Sequence, residues 1–128
     1  MTTEPRDLWL ATTRADGRPH LVPIWFVVDA AGTYWLATGA NSVKTRNIAR
    51  DPRVVFGCAG TGPTGDQGDI VFEGVASVVE RAPVEVLDRL EAKYGWRPSD
   101  EPDDDIGEVA FVRIVPGRRV MGPDPTVD

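Results

Sequence analysis

The chain has 128 residues, a formal net charge of -6, one histidine and one cysteine. That length fits one domain over residues 1–128, with a core burying roughly 65–70% of the unfolded surface. The acid excess argues against nucleic acid as a partner, since nucleic acid demands a basic face; lone Cys58 excludes an internal disulfide; and with no run of ~20 apolar residues and no signal-like start, a soluble cytoplasmic protein without a membrane partner is expected.

Leu8 to Thr13 (LWLATT) predicts a first strand, and Asp16-Gly17 after it predicts a hairpin turn. The return strand is Pro19 to Val28 (PHLVPIWFVV). Pro23 cannot donate to a ladder, so its position must be an edge, a bulge or a place where backbone is left free for a ligand. Asp29 to Gly32 turns the chain again into Thr33 to Thr38 (TYWLAT), which completes a three-strand meander. Asn41 or Ser42 offers a helix N-cap, Val43 to Arg50 fits two helical turns, and Asp51-Pro52 stops them, because a residue before proline avoids the α region.

Arg53 to Ala59 predicts a fourth strand, and Gly60 to Gly68 (GTGPTGDQG) a loop without the Gly-Lys-Ser/Thr ending of a phosphate loop. In Asp69 to Glu80, Ile70, Phe72, Ala76 and Val78 share one face, Glu73 and Ser77 the other, and Gly74 marks a bulge or bend. Pro83 fits a first helical turn, with Val84, Leu87, Leu90 and Tyr94 along an apolar face and Gly95 as the C-terminal cap. The acids Asp103 to Asp105 lack the glycine and spacing of a calcium loop and read as a solvated connection. Gly107 to Val115 is a last clear strand, which Arg118 to Met121 extends after Pro116-Gly117. The fold expected is mainly β: about six antiparallel strands curled into a small barrel, which buries apolar faces and limits open edges, with two short helices.

The chemistry is sparser. One His and one Cys exclude a zinc site built on several such residues, and His20 and Cys58 fall on separate strands without an orienting partner; Cys58 reads as an inert thiol and His20 as a strand residue near a cavity mouth. No catalytic residue or metal ligand can be named, so any redox chemistry would rest on a bound cofactor. The stretch Thr38 to Val54 concentrates Lys44, Arg46, Arg50 and Arg53 against Asp51 alone. A helix start with free amides beside Lys and Arg can hold a phosphate, but a solvated helix face would read the same, and residue types leave both open.

The pieces LWLATTRADGRPHLVPIWFVVD, TYWLAT, SVKTRNIARDPRV and GDIVFEGVASVVE, in that order, resemble the split β-barrel superfamily that includes pyridoxamine 5'-phosphate oxidase and the flavin- and deazaflavin-dependent oxidoreductases. They are most similar to its small branch dependent on coenzyme F-420, an 8-hydroxy-5-deazaflavin. The resemblance implies a homodimer with the cofactor at the subunit interface. It also implies that Lys44 and Arg46 bind the cofactor phosphate, with Ser42, Thr45 and Asn47 completing the grip. Val22, Pro23, Ile24 and Trp25 would meet the ring system, and Ala37, Thr38 and Gly39 would wall it. Exposed Trp25, Trp35 or Trp96 would find cover at the interface, unless they serve the core. The substrate-binding Arg and His motif of the oxidase has no counterpart after Val115, so vitamin B6 oxidation is not implied. The activity expected is hydride transfer between coenzyme F-420 and a small unsaturated molecule. The alternatives are an FMN-dependent oxidoreductase of the same fold and a non-catalytic flavin- or deazaflavin-binding storage protein.

Overall fold

The computed structural model describes residues 5–58, 69–99, 103 and 105–121. Along the chain run β1 (Asp7–Thr13), β2 (Pro19–Trp25), β3 (Val27–Val28), β4 (Tyr34–Gly39), α1 (Val43–Arg50), β5 (Arg53–Cys58), β6 (Ile70–Val79), α2 (Val84–Tyr94) and β7 (Val109–Met121). The seven strands form one antiparallel sheet in the order β2-β1-β5-β6-β7-β4-β3. The loop expected at Gly60 to Gly68 lies outside the described residues, as do parts of the acidic connection.

Both tight turns expected near the start form, but the strand between them does not stay whole. β2 pairs with β1 at one edge of the sheet, and β3 pairs with β4 at the other, so the expected meander is broken at Phe26. Two strands separated by a single residue can occupy opposite edges only if the sheet curls until those edges approach. The result is a partly closed barrel. Side-chain alternation survives the break, with Ile24 and Phe26 turned to the inner core and Val27 to the outer face.

The inner core gathers Leu8, Leu10, Phe26, Leu36, Phe56 and Ile114, and α1 plugs it with Ile48. A second cluster on the outer face joins Val86 and Leu90 of α2 to Val27, Trp35 and Phe111. The buried face of α2 therefore follows the i, i+4 line through Val86, Leu90 and Tyr94. Val84, expected on that face, is 65% exposed because it stands two residues before Val86, about 200° around the helix, and so points away from the line. Trp35 belongs to this core and donates its Nε1 proton to Asp29 (3.0 Å), whereas Trp9 is the exposed tryptophan, at 49%.

Gly74 sits where the β6–β7 register shifts, as expected of a bend. A Cβ there would lie 3.0 Å from both Ile114 Cγ2 and Phe56 Cε1, so a side chain would crowd these two core residues. β7 runs unbroken through Pro116-Gly117 to Met121 and pairs with both β6 and β4. Among the described residues no helix is long and apolar enough to cross a membrane.

The break at Phe26 has dedicated supports. Its backbone N–H donates to the Tyr94 hydroxyl (2.8 Å), and its carbonyl accepts from Lys93 Nζ (2.9 Å), whose ammonium also lies 3.7 Å from the Phe26 ring centroid. A buried amide that has left the ladder must find such a partner, and the end of α2 supplies it. Tyr94→Phe keeps the ring but orphans that amide, and should cost about 1–3 kcal/mol of stability, read as a lower urea midpoint. An unchanged midpoint would show that the amide is satisfied without the hydroxyl.

Candidate functional site

The structure sorts the basic island into committed and uncommitted charges. Arg53 pairs with Asp51 (2.9 Å) and holds that carboxyl at about 2. Arg50 donates to the Thr13 carbonyl (2.7 Å) and to Asn47 Oδ1 (3.1 Å). Lys44 and Arg46 have no hydrogen-bond or ion-pair partner among the described residues. Arg46 is exposed, but Lys44 is half-buried, and burial alone holds its ammonium below the usual lysine range.

The local sequence explains the setting. Ser42 caps α1 by accepting from the Thr45 amide (3.3 Å), and the Thr45 hydroxyl lies within reach of the Ser42 and Ala40 carbonyls (2.8 and 3.0 Å). The Arg46 amide is taken by the Ser42 carbonyl (3.2 Å). That leaves the amides of Val43 and Lys44 as the free donors of the first turn, next to the Lys44 charge. Asn47, expected in the same grip, is 4% exposed and donates to Thr12 Oγ1 (3.0 Å), which fastens α1 to β1. The Ser42 and Thr45 hydroxyls are likewise engaged within the cap.

His20 joins this region through the sheet register, since it lies opposite Thr12 on β1. Its Nδ1 is buried without a hydrogen-bond partner among the described residues. Burial first, then the charges of Arg14 and Lys44, hold the imidazole below its ordinary value of 6.5. Lys44, Arg14, His20 and the two free amides thus form an electropositive corner where α1 meets β1 and β2. Position in the sequence gave no sign of Arg14, which enters because the β1–β2 register brings the start of the turn beside His20.

β2 is an edge strand, paired only with β1. Pro23 lies opposite Trp9, and because proline has no N–H, this position fits only where its nitrogen faces the open edge. Alternation then turns the backbone of Leu21 and Trp25 the same way, so the edge carries unclaimed donors and acceptors. Val22 and Ile24 are half-buried, Pro23 is exposed, and Trp25 stacks on Tyr94 with ring centroids 4.2 Å apart. Five residues of extended chain, roughly 16 Å, separate His20 from Trp25. Across the barrel, Thr38 is buried and Ala37 packs into the outer cluster. Gly39 admits the Ile106 carbonyl to 2.9 Å from where a Cβ would stand. The structure brings the end of β4 to α1 through the Ala40 turn, and α1 to β2 through His20; it sets Trp25 at the far end of β2.

The family described as pyridoxamine 5'-phosphate oxidase matches residues 2–118. Among solved structures, the conserved hypothetical protein Rv2991 from Mycobacterium tuberculosis is 36% identical, with a TM-score of 0.72 over 91% of this chain and 76% of that one. An F420 reductase superimposes with a TM-score of 0.69 at 23% identity, covering 91% and 90% of the two chains. HutZ, the heme storage protein of Vibrio cholerae, does so with 0.70 at 22% identity, covering 93% and 87%. The last two likenesses are of fold. No curated protein matches the chain.

The electropositive corner predicts how His20 titrates. Because folding lowers its proton affinity, the unfolded chain binds that proton more readily, and acidification through pH 6.5 should cost stability. Proton NMR should find the midpoint below 6.5, and Lys44→Met should move it upward by removing a like charge. A wild-type midpoint at or above 6.5 would contradict the arrangement.

Proposed function

The chain belongs to the pyridoxamine 5'-phosphate oxidase family, and from that premise we propose that it is an oxidoreductase binding coenzyme F-420, with the phosphate on Lys44 and the ring system along the edge of β2. One observation carries this reading. A half-buried ammonium without a counter-charge, beside two free helix amides, is a site that an anion completes. Arg46, exposed on the same helix, adds long-range attraction, while Ser42, Thr45 and Asn47 hold the corner in shape.

The ring end follows from the same edge. Open backbone groups at Leu21, Pro23 and Trp25 can meet the polar rim of a flavin-type ring, and Val22 and Ile24 give the strand its seat on the barrel. When bound, a deazaflavin supplies hydride transfer to or from an unsaturated molecule. The protein's part is to bind, to orient and to place positive charge at the phosphate. FMN fits the same donors and is the alternative cofactor. A binding-only role is favoured by one observation: the single histidine lies at the anion end of β2, so no imidazole serves the ring end. Such a storage protein would bind tightly without substrate-dependent oxidation of the reduced cofactor.

Assembly as a homodimer is part of the proposal. α2 covers the outer face over β3, β4 and β7, while the remaining outer face exposes Trp9, Leu21, Val55 and Val75 at 40–59%. A contiguous apolar face of this kind supports burial against a second copy, which would complete the pocket beside β2. A cytoplasmic location belongs with the cofactor.

Titration with coenzyme F-420 and with FMN, followed by tryptophan fluorescence, tests the reading. Lys44→Ala should weaken binding by roughly tenfold or more, and Arg46→Ala by less, because exposed charges are screened. Affinity should fall as ionic strength rises. Binding of FMN alone would overturn the choice of cofactor, and binding indifferent to Lys44→Ala would overturn the grip.

A further inference from the structure

A second concentration of positive charge lies on the opposite face of the β2–β3 segment. There a cleft of ≈ 720 Å³ opens between the chain break and α2, and its lining includes Arg6, Trp25, Val27, Arg89, Lys93 and Tyr94. Among the described residues no carboxylate lines it, although the chain as a whole carries -6. Its aromatic wall is rigid. Trp25 and Tyr94 stack within 3° of parallel, and the Tyr94 hydroxyl is tied to both the Phe26 amide (2.8 Å) and the Arg6 carbonyl (2.6 Å). The Arg6 guanidinium lies 5.5 Å from the Trp25 ring centroid and has no acidic partner among the described residues. Lys93 is fixed by the Phe26 carbonyl, and Arg89 by Glu85 (3.0 Å), so both charges are held in place.

From this juxtaposition we propose that the cleft between β2–β3 and α2 is a binding site for a planar aromatic carboxylate, its ring against the Trp25–Tyr94 stack and its carboxylate on Arg6. The chemistry selects that class. A flat aromatic wall favours a flat ring, and a guanidinium free of carboxylates favours a planar oxyanion that it can hold through two hydrogen bonds. Val27, Val28 and Ala92 supply the apolar floor that desolvates the ring. The cleft is separate from the Lys44 corner, which lies about five residues away along β2 and on its other face. The two proposed sites meet only at Trp25, whose backbone faces the ring seat and whose side chain lines the cleft, and the cleft takes its charge from Arg6 rather than from the Lys44 corner.

Calorimetric titration of the full chain with naphthoate and with its neutral analogue naphthamide provides the test. Naphthoate should bind, naphthamide roughly tenfold more weakly, and Arg6→Gln should remove roughly that same factor for naphthoate while leaving the thermal melt unchanged. Lys44→Ala should leave naphthoate binding as it is, which separates this site from the proposed cofactor grip. Absence of naphthoate binding, equal affinity for the amide, indifference to Arg6→Gln, or loss of binding in Lys44→Ala would each overturn the proposal. Trp25→Leu, which lacks the stacking surface but keeps Arg6, should weaken both probes, and unchanged binding there would overturn the assigned wall.

Discussion

The fold hangs on the backbone of one residue. Phe26 must leave the ladder because β2 and β3 belong to opposite edges of the sheet, and its N–H and C=O would then be buried without partners. Tyr94 and Lys93 satisfy them from the end of α2. The same two side chains place Tyr94 against Trp25 and the Lys93 ammonium over the Phe26 ring. One set of contacts therefore closes the barrel, docks α2 and builds the wall of the cleft outside it.

At the other end of β2 a second fastening sets the electrostatics. Asn47 ties α1 to Thr12, Arg50 reinforces the tie through the Thr13 carbonyl, and Ser42 fixes the start of the helix. None of these bonds brings a carboxylate to the corner. Lys44 is left with its charge partly desolvated and His20 with a buried, unpartnered nitrogen. A protein that carried such a corner for stability alone would gain by replacing Lys44 with an apolar residue, since an unpaired half-buried cation is a cost.

How much of this the sequence discloses depends on the range of each interaction. The bounds of α1 are legible to the residue because Ser42, Asp51 and Pro52 act locally. The bend at Gly74, the edge position of Pro23 and the Gly95 cap are legible for the same reason. The break at Phe26 is hidden in PHLVPIWFVV, where unbroken apolar character masks it and its supports lie 67 and 68 residues onward. Asn47 belongs visibly to a K-x-R-N run, but its bond to Thr12 spans 35 residues, and nothing local announces it. The face of α2 was half legible: Leu90 and Tyr94 lie on it, while Val86 replaces Val84 because the face follows the i, i+4 line. The tryptophans exchange places for a similar reason, since only the pairing of β4 with β7 decides that Trp35 is inside.

In the proposed function β2 is a track with an anion seat at the α1 end and a ring seat along its open edge. Amide-resolved NMR of the protein titrated with coenzyme F-420 tests it most directly. The perturbed amides should fall in two connected groups, Val43 to Arg46 and Leu21 to Trp25, with the Val43 and Lys44 amides shifted most. Perturbations absent from both groups, or confined to surfaces away from α1 and β2, would contradict it.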